Sequence, residues 1–428
     1  MKYVFSFLVL IFSNAIQSYP KIETLKDNNN YLLIHEASLP IIDVNISFDS
    51  GSKDDLANKG ITSLSFELLH QQINNTNQKY INILEGIGAQ YSSSVSRESS
   101  SISIRFINTR ENINIVSSNL GKMLANRNIS RESFELTKEA MLDNIKSRDL
   151  DPSTLLSYKS NEEYFKNSSL AHPINGYEKT INKISVEDIS SHLDNLLIQE
   201  NTKISFVGDI TKSQAIGFIS KLQMNLPQKS NINQKIFWDG YHEKSKLIEI
   251  SHDSQQTHIS IMIPSVTRTD EDFYNILVAN YILGGSGFGS MLMTEIREKN
   301  GLAYSIYSYL VPYENFGIMK IGMQTENKNT RKALEILSEQ LEIFQSFDID
   351  ENKIETAKLG LIRSFELRFD TNKKMLNTLS AINKLNLHNN YFDNYIEGIK
   401  SVSKESIRKA LKMKIGFNKK LIMTVGNN

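Results

Sequence analysis

Alternating hydrophobic and polar positions predict strands at several places in the first half of the chain. Residues 22–48 contain two alternating runs flanked by turn-rich pieces. Residues 102–106 alternate in the same way, as in a half-buried strand. The half closes with the apolar run at residues 201–210, "NTKISFVGDI", which is typical of a short buried strand.

Helical spacing of apolar residues predicts helices between and after these strands. Residues 60–72 carry apolar side chains three and four positions apart. Residues 113–125 and 131–147 predict two further helices. The second of these is expected to stop before the Asp-Pro dipeptide at 151–152, because proline disfavours a helical conformation in the residue before it.

The second half repeats the first. Glu135 aligns with Glu355 and Lys138 with Lys358, a shift of 220 residues, and the order of predicted strands and helices is the same. Strands come in pairs before helices, which favours an α+β fold. We therefore predict two duplicated halves, each a mostly antiparallel sheet with helices on one face. The later elements are "HISIMI", "DEDFYNILVANYIL", "GIMKIGMQT" and the helices at 329–344 and 351–367.

A polar stretch at residues 225–235 contains proline and lacks an apolar period, so we expect a connection there. The predicted domains are residues 19–228 and 236–428, after a signal peptide at 1–18. The signal interpretation rests on one positive charge, an apolar run of about ten residues and then small residues. It implies export, which we take as periplasmic; an uncleaved N-terminal anchor is the alternative.

Composition excludes several kinds of site. The 428 residues include 48 Lys plus Arg and 48 Asp plus Glu, so no net charge favours nucleic acid. There is no cysteine, which excludes disulfides, thiolate metal sites and a cysteine nucleophile. No later segment reaches the roughly 20 apolar residues of a membrane span.

The histidines do not form a metallopeptidase motif by themselves. None of the eight has a second histidine three or four positions away, and His242-Glu243 is followed by Lys246 where a ligand is needed. Glu67 and His70 lie one helical turn apart, with Ser63 on the same face. This is a weak metal pattern, and the alternative is the polar edge of a partly buried helix.

A glycine-rich loop at residues 284–289 precedes the most informative stretch. It resembles a phosphate-binding turn, but Ser290 replaces the third glycine of a dinucleotide fingerprint, and the loop follows a helical pattern instead of a strand. A turn that lets a backbone approach a ligand or partner fits better. Arg297 and Tyr304 follow. They are either a surface ion-pair arginine and a core tyrosine, or two donors for peptide carbonyls or a developing oxyanion.

Residues 283–308, "LGGSGFGSMLMTEIREKNGLAYSIYS", closely resemble a signature of the insulinase-like M16 metallopeptidases, which include the mitochondrial processing peptidases and bacterial two-subunit relatives. The resemblance extends over nearly the whole chain after the signal segment. It implies two α/β halves that face each other as a clamshell around a chamber where unstructured peptides are cut.

Active members of that family carry His-x-x-Glu-His on the first helix of the N-terminal half. In the matching register the two histidine ligands fall on Ser63 and Glu67, the general-base glutamate on Phe66, and a later glutamate ligand near Asn144. All four positions are lost. The resemblance therefore implies no zinc in this chain and no activity when it is alone.

The resemblance further implies a non-catalytic subunit that pairs with an active homologue carrying His-x-x-Glu-His, which would supply the zinc. In such pairs the second chain contributes an Arg/Tyr pair that binds peptide substrate near the scissile bond. Arg297 and Tyr304 match that pair, and Gly284 and Gly285 are expected beside it as substrate-binding positions. The alternative is a scaffold that keeps the fold and only docks other proteins.

Overall fold

Two β-sheets covered by helices make up the computed structural model, which describes residues 19–26, 28–70, 77–228, 238, 241 and 243–427. The first sheet contains β1 (Glu23–Leu25), β2 (Asn28–His35), β3 (Ile41–Phe48), β4 (Gln90–Val95), β5 (Ser100–Ile107) and β6 (Thr202–Gly208). The second sheet contains β7 (Lys246–Ser251), β8 (Gln256–Ser265), β9 (Ile306–Pro312), β10 (Gly317–Glu326) and β11 (Leu421–Gly426).

The two sheets share one topology. Their strand orders are β1-β2-β6-β3-β5-β4 and β7-β11-β8-β10-β9. Within the described ranges, β2 with β6 and β7 with β11 are parallel, and the other neighbours are antiparallel. The α+β class, the mostly antiparallel sheets and the duplication of the two halves are therefore confirmed.

The helices follow the predicted pattern with small changes at their ends. The helix predicted at 113–125 begins at Arg110, because the side chain of Thr109 caps it by accepting from the backbone N–H of Asn112. In the first half the helices are α1 (Ile61–His70), α2 (Gln78–Gly86), α3 (Arg110–Ala125), α4 (Arg131–Arg148), α5 (Pro152–Tyr164), α6 (Glu178–Ile181), α7 (Val186–Leu196) and α8 (Lys212–Gln223). In the second half they are α9 (Phe273–Asn280), α10 (Thr330–Ser346), α11 (Glu351–Glu366), α12 (Asn372–Lys384), α13 (Tyr391–Lys400) and α14 (Lys404–Lys414).

Helices cover both faces of the first sheet, and its own half supplies the cover of only one face. Side chains of neighbouring residues in a strand point to opposite faces. Leu33 packs in a core with the apolar faces of α1, α3 and α8. The next residue, Ile34, packs in a different core with side chains of the C-terminal helices. The sequence pattern did not reveal this because it shows which positions are buried but not what covers them.

The second cover of each sheet comes from the other half of the chain. α12, from the second half, lies on β6, β3 and β2 of the first sheet. α5, from the first half, lies on β11 and β8 of the second sheet. The two helices are equivalent, because Pro152 and Asn372 begin them 220 residues apart and Asp151 and Thr371 cap them in the same way. We call this arrangement the helix exchange.

Some predicted boundaries fall on parts of the chain that are not described. Residues 229–235 of the predicted connection and the whole predicted signal peptide at 1–18 lie outside the described residues. The domain limits at 228 and 236 stay predictions. Among the described residues, no helix combines the length and the apolar character needed to cross a bilayer.

The helix exchange predicts that a cavity in α12 destabilises the chain strongly. Leu379 is fully buried in the core that reaches the first sheet. Leu379→Ala should lower the free energy of unfolding by about 2–5 kcal/mol, because transfer and cavity terms add. Urea unfolding followed by circular dichroism measures the change.

Leu359→Ala is the matched control, since Leu359 is 51% exposed on neighbouring α11. It should change the free energy of unfolding by less than about 0.5 kcal/mol. Equal effects of the two substitutions would contradict the packing of α12 described above.

Candidate functional site

The glycine-rich loop begins within one π-helical turn and is followed by a second. These turns are Tyr281–Gly285 and Met293–Lys299, and such turns are frequent at functional sites. Gly284 is buried, and a Cβ atom there would lie 2.7 Å from the backbone nitrogen of Ser308 in β9. Its lack of a side chain therefore serves close packing, whereas Gly285 is exposed.

Arg297 and Tyr304 lie side by side at the surface. The Arg297 guanidinium carbon is 4.8 Å from the ring centroid of Tyr304 and 4.8 Å from that of Phe288. The two aromatic residues are 80% and 72% exposed, respectively. We call these three residues the Arg/Tyr platform. The sequence singled out Arg297 and Tyr304 but missed Phe288.

The structure agrees neither with an ion-paired Arg297 nor with a Tyr304 that fills a core. Tyr304 fills no core and precedes β9 by two residues instead of lying within a strand. Arg297 makes no ion pair with any described carboxylate within 4 Å. A guanidinium held by two rings keeps its N–H edge available for carbonyl or carboxylate oxygens. The exposed Tyr304 hydroxyl is a second donor beside it.

On α1, Ser63 stands at the position of the first histidine ligand of the family, and its hydroxyl is hydrogen-bonded to an amide side chain. The Ser63 hydroxyl donates to Oδ1 of Asn175 at 2.9 Å. Phe66, at the position of the general base, is 1% exposed and packs edge-on against Phe48, with ring centroids 6.4 Å apart. Glu67, at the second ligand position, is exposed. None of these side chains forms a metal-binding cluster with the others.

Asn144, at the later ligand position, lines a cavity of about 280 Å³ together with Arg148 and Asn175. Arg148 lies one helical turn after Asn144, and its side chain is only 13% exposed. It donates to the carbonyl of Gly176 at 3.0 Å and lies over the ring of Tyr158 at 4.3 Å. Its Nε lies 3.6 Å from the carboxylate of Asp149, so the later ligand position is bordered by an ion pair and not by a free carboxylate.

The residues present do not fit a zinc ion. Zinc needs three or four His, Asp, Glu or Cys ligands, and no group of three of these exists among the described residues. The weaker Glu67 and His70 pattern gathers no ligands either, because the His70 ring packs edge-on against Tyr91, with centroids 4.9 Å apart.

A buried network at the start of α1 was missed by the sequence analysis. Asp55 accepts from the backbone N–H of Gly60 at 2.7 Å, the backbone N–H of Thr62 at 3.1 Å and the Thr62 hydroxyl at 2.6 Å. Nε2 of His192 lies 2.8 Å from the same hydroxyl. Asp55 thus satisfies free donors at the helix N-terminus and joins α1 to α7.

Burial controls the charges in this network. It raises the pKa of Asp55 to about 7, against hydrogen bonds from Thr62 and Gly60 that favour the carboxylate. Burial lowers the pKa of His192 to about 4, so its imidazole is neutral near pH 7. The only available sequence signal was the short polar segment before the helix, which does not show that Asp55 and His192 meet.

Comparison with known proteins finds similarity to the M16 peptidases. A model of the peptidase M16 inactive domain matches residues 183–361. A Helicobacter pylori protein called non-peptidase homolog YmxG is 24% identical over 396 residues, which cover 91% of this chain and 90% of that protein. A Bacillus subtilis protein called uncharacterized zinc protease YmxG is 23% identical over 290 residues, or 68% of this chain and 69% of that protein.

Solved structures match the fold over almost the whole chain. A peptidase M16 inactive domain from Pseudomonas fluorescens has a TM-score of 0.87 at 21% identity, with 96% of this chain and 98% of that chain covered. A Helicobacter pylori protease has a TM-score of 0.82 at 14% identity, with 95% and 100% covered. Residues 183–361 thus match the peptidase M16 inactive domain, and the fold of the whole chain is similar to that of solved M16 structures.

The buried histidine predicts a pH dependence of stability. The unfolded chain binds a proton at this position below about pH 6.5, whereas the folded chain does so only near pH 4. Its contribution to stability is therefore complete above about pH 6.5 and is lost as the pH falls towards 4. The loss is up to about 3 kcal/mol.

His192→Gln should remove this acid-induced loss and keep a donor for Thr62. Urea unfolding of the variant and of the parent between pH 7 and pH 4 measures the free energy of unfolding of each. Asp55 is present in both proteins, so its opposite dependence cancels in the comparison. His388→Gln, at an exposed histidine, is the control. Parallel curves for the parent and His192→Gln would contradict the burial of a neutral imidazole.

Proposed function

We propose that this chain is the non-catalytic, substrate-binding subunit of an M16-type zinc peptidase. It pairs with an active homologue that carries His-x-x-Glu-His, and the pair degrades or processes peptides in the periplasm. One observation carries the proposal: Arg297 and Tyr304 are presented together at the surface, in a chain whose own zinc-ligand positions are lost.

The Arg/Tyr platform supports a role outside the packing of its own chain. Burying Tyr304 would stabilise the fold, but its ring is left in solvent beside a guanidinium that has no ion pair with any described carboxylate. Exposed aromatic and arginine side chains are the types that dominate binding interfaces. Because the described residues gather no metal-binding group that could complement the platform, the group it serves is expected on another chain.

In the proposed complex, the partner supplies zinc and the base that activates water. This chain contributes two donors. The Arg297 guanidinium holds a carbonyl oxygen of the peptide near the scissile bond. The Tyr304 hydroxyl donates to the oxygen that gains negative charge in the tetrahedral intermediate. Periplasmic location rests on the N-terminal sequence pattern alone.

The first prediction from this proposal concerns metal content. The purified chain should bind no stoichiometric zinc, because Ser63, Phe66 and Asn144 supply no ionisable ligand and Arg148 lines the cavity. Metal analysis after dialysis against micromolar zinc measures this, with the active homologue as the positive control. About one zinc per chain, lost together with peptidase activity on chelation, would refute the proposal.

The second prediction concerns turnover by the reconstituted pair. Tyr304→Phe should lower kcat about 100-fold, because one preorganised donor is worth roughly 3 kcal/mol in a shielded site. The ring remains, so stacking on Arg297 and assembly should persist. Arg297→Ala should mainly raise KM. Peptide cleavage is measured, and assembly is checked separately by size-exclusion chromatography.

Tyr80→Phe on α2 and Arg331→Ala on α10 are the matched controls, at positions remote in sequence from the platform. Both should cleave like the parent. If Tyr304→Phe and Arg297→Ala also assemble and cleave like the parent, the platform is not part of the active site and the scaffold alternative gains. If the parent chain adds no activity to the homologue, the proposed pairing is wrong.

A further inference from the structure

Equivalent hairpin turns of the two halves meet beside α5. The turn between β4 and β5 comes from the first half, and the turn between β9 and β10 comes from the second. The backbone N–H of Glu314 donates to Oε1 of Glu98 at 3.1 Å across this contact. Lys53 Nζ lies 3.8 Å from the other carboxylate, that of Glu314. Glu314 therefore has a cationic partner, whereas Glu98 accepts from one backbone N–H.

Arg97, next to Glu98, has spare donors. Its Nε donates to the carbonyl of Leu170 at 3.0 Å, and its guanidinium lies 5.8 Å from the ring centroid of Phe165. Its two terminal nitrogens have no hydrogen-bond partner among the described residues, and no described carboxylate lies within ion-pair distance. The residue is only partly exposed, so this cation is partly removed from water without a counter-charge.

Lys320 supplies a second unpaired cation at the same place. Its Nζ lies 3.4 Å from Oδ1 of Asn161, and no described carboxylate lies within ion-pair distance. Asn161 and Phe165 are four residues apart at the end of α5, so they face the same side. Lys320 contacts Asn161 and Arg97 contacts Phe165, so the two cations lie next to each other on that side. The pKa of Lys320 is lowered to about 8, first by burial and then by the charge of Arg97.

Two tyrosines complete this recess. Tyr309 on β9 lies directly opposite Lys320 in the strand register. Tyr313, in the hairpin turn, has its ring centroid 5.6 Å from that of Phe165. Arg97, Lys320, Tyr309 and Tyr313 together form what we call the junction recess. It offers positive charge and hydroxyl donors, and no described carboxylate lies within ion-pair distance of Arg97 or Lys320. Such a donor set fits an anion.

The position of β9 identifies the kind of anion. Among the described residues β9 ends its sheet, so its outer edge presents backbone donors and acceptors to an added strand. An extended peptide paired there would place a side chain beside Tyr309, two strand spacings or about 10 Å from Lys320. A glutamate side chain and the lysine side chain together can span that separation.

We propose that the junction recess binds an acidic side chain of a peptide lying along β9, so that this chain selects acidic peptides. The inference rests on the proposed function in taking the ligand to be a peptide. It goes further in naming the chemistry that the peptide must carry. The free carboxylate of a small molecule and inorganic phosphate share that chemistry, and the experiment separates them.

The test is peptide binding to the full chain, measured by fluorescence anisotropy. The probes are three labelled twelve-residue peptides that differ only at two central positions, which are Glu, Gln or Lys. The Glu peptide should bind about 10-fold or more tightly than the Gln peptide, because a charge-assisted contact replaces a neutral one. Lys320→Gln and Arg97→Gln should each reduce that preference to about 2-fold or less.

Lys328→Gln is the matched control, because it removes the same charge from an exposed site just after β10. It should keep the preference, which excludes a general effect of net charge. Lys320→Met is a second variant in case glutamine disturbs the fold. Circular dichroism and thermal unfolding check that each variant is folded.

Amine acetylation gives an independent readout. At pH 8, the Glu peptide should protect Lys320 from acetylation while the Gln peptide does not, and neither should protect the exposed Lys328. Mass spectrometry locates the modified lysine. Protection by millimolar phosphate or succinate, with equal binding of the Glu and Gln peptides, would overturn the proposal in favour of a small-anion site.

The outcomes also separate this inference from the proposed function. If all three peptides bind equally and Arg297→Ala weakens all of them, the acidic preference is wrong while substrate binding stands. If no peptide binds the chain at about 1 mM, a concentration that would reveal even weak binding, two assignments are overturned: the peptide site of the proposed function and the acidic site at the junction recess.

Discussion

The helix exchange is the constraint on which the rest of the structure depends. A sheet that is buried on two faces needs two covers, and each half supplies only one for its own sheet. β3 is buried along almost its whole length because α12 reaches its second face, which carries the polar residues Asp43, Asn45 and Ser47, from the other half. The two halves are therefore joined on this face both by apolar packing around Ile34 and by hydrogen bonds from the Asn383 amide to the carbonyl of Ile204 and the hydroxyl of Ser205.

The helix exchange also places the functional features. α5 carries Asn161 and Phe165 from the first half onto the second sheet, where they meet Lys320 and Arg97. The same packing brings the two hairpin turns into contact through Glu98 and Glu314. A recess built from both halves thus follows from packing that any duplicated chain of this kind needs, and it requires no metal to hold it together.

Sequence periodicity predicted the elements and their duplication but not how the halves interlock. The Asp-Pro dipeptide was interpreted only as the end of a helix, whereas Asp151 caps α5 and Pro152 begins it. The seven-residue spacing picked out Arg297 and Tyr304, yet it was equally compatible with a core tyrosine. Only the fold shows that Tyr304 is exposed, that Phe288 joins it, and that Asp55 and His192 lie on one network, because these are contacts between distant segments.

The lost zinc positions are filled by interactions that favour the fold. Phe66 buries a ring against Phe48 where a base would have to stay charged, and Ser63 and Asn175 satisfy each other without a metal. The guanidinium of Arg148 adds a positive charge beside Asn144, held by Gly176 and the Tyr158 ring. Asp149 lies 3.6 Å from Nε of Arg148, so this charge already has a counter-charge within the chain. The described residues of the first half therefore gather no ligand set for zinc, whereas the exposed Tyr304 and Arg297 lie together in the second half.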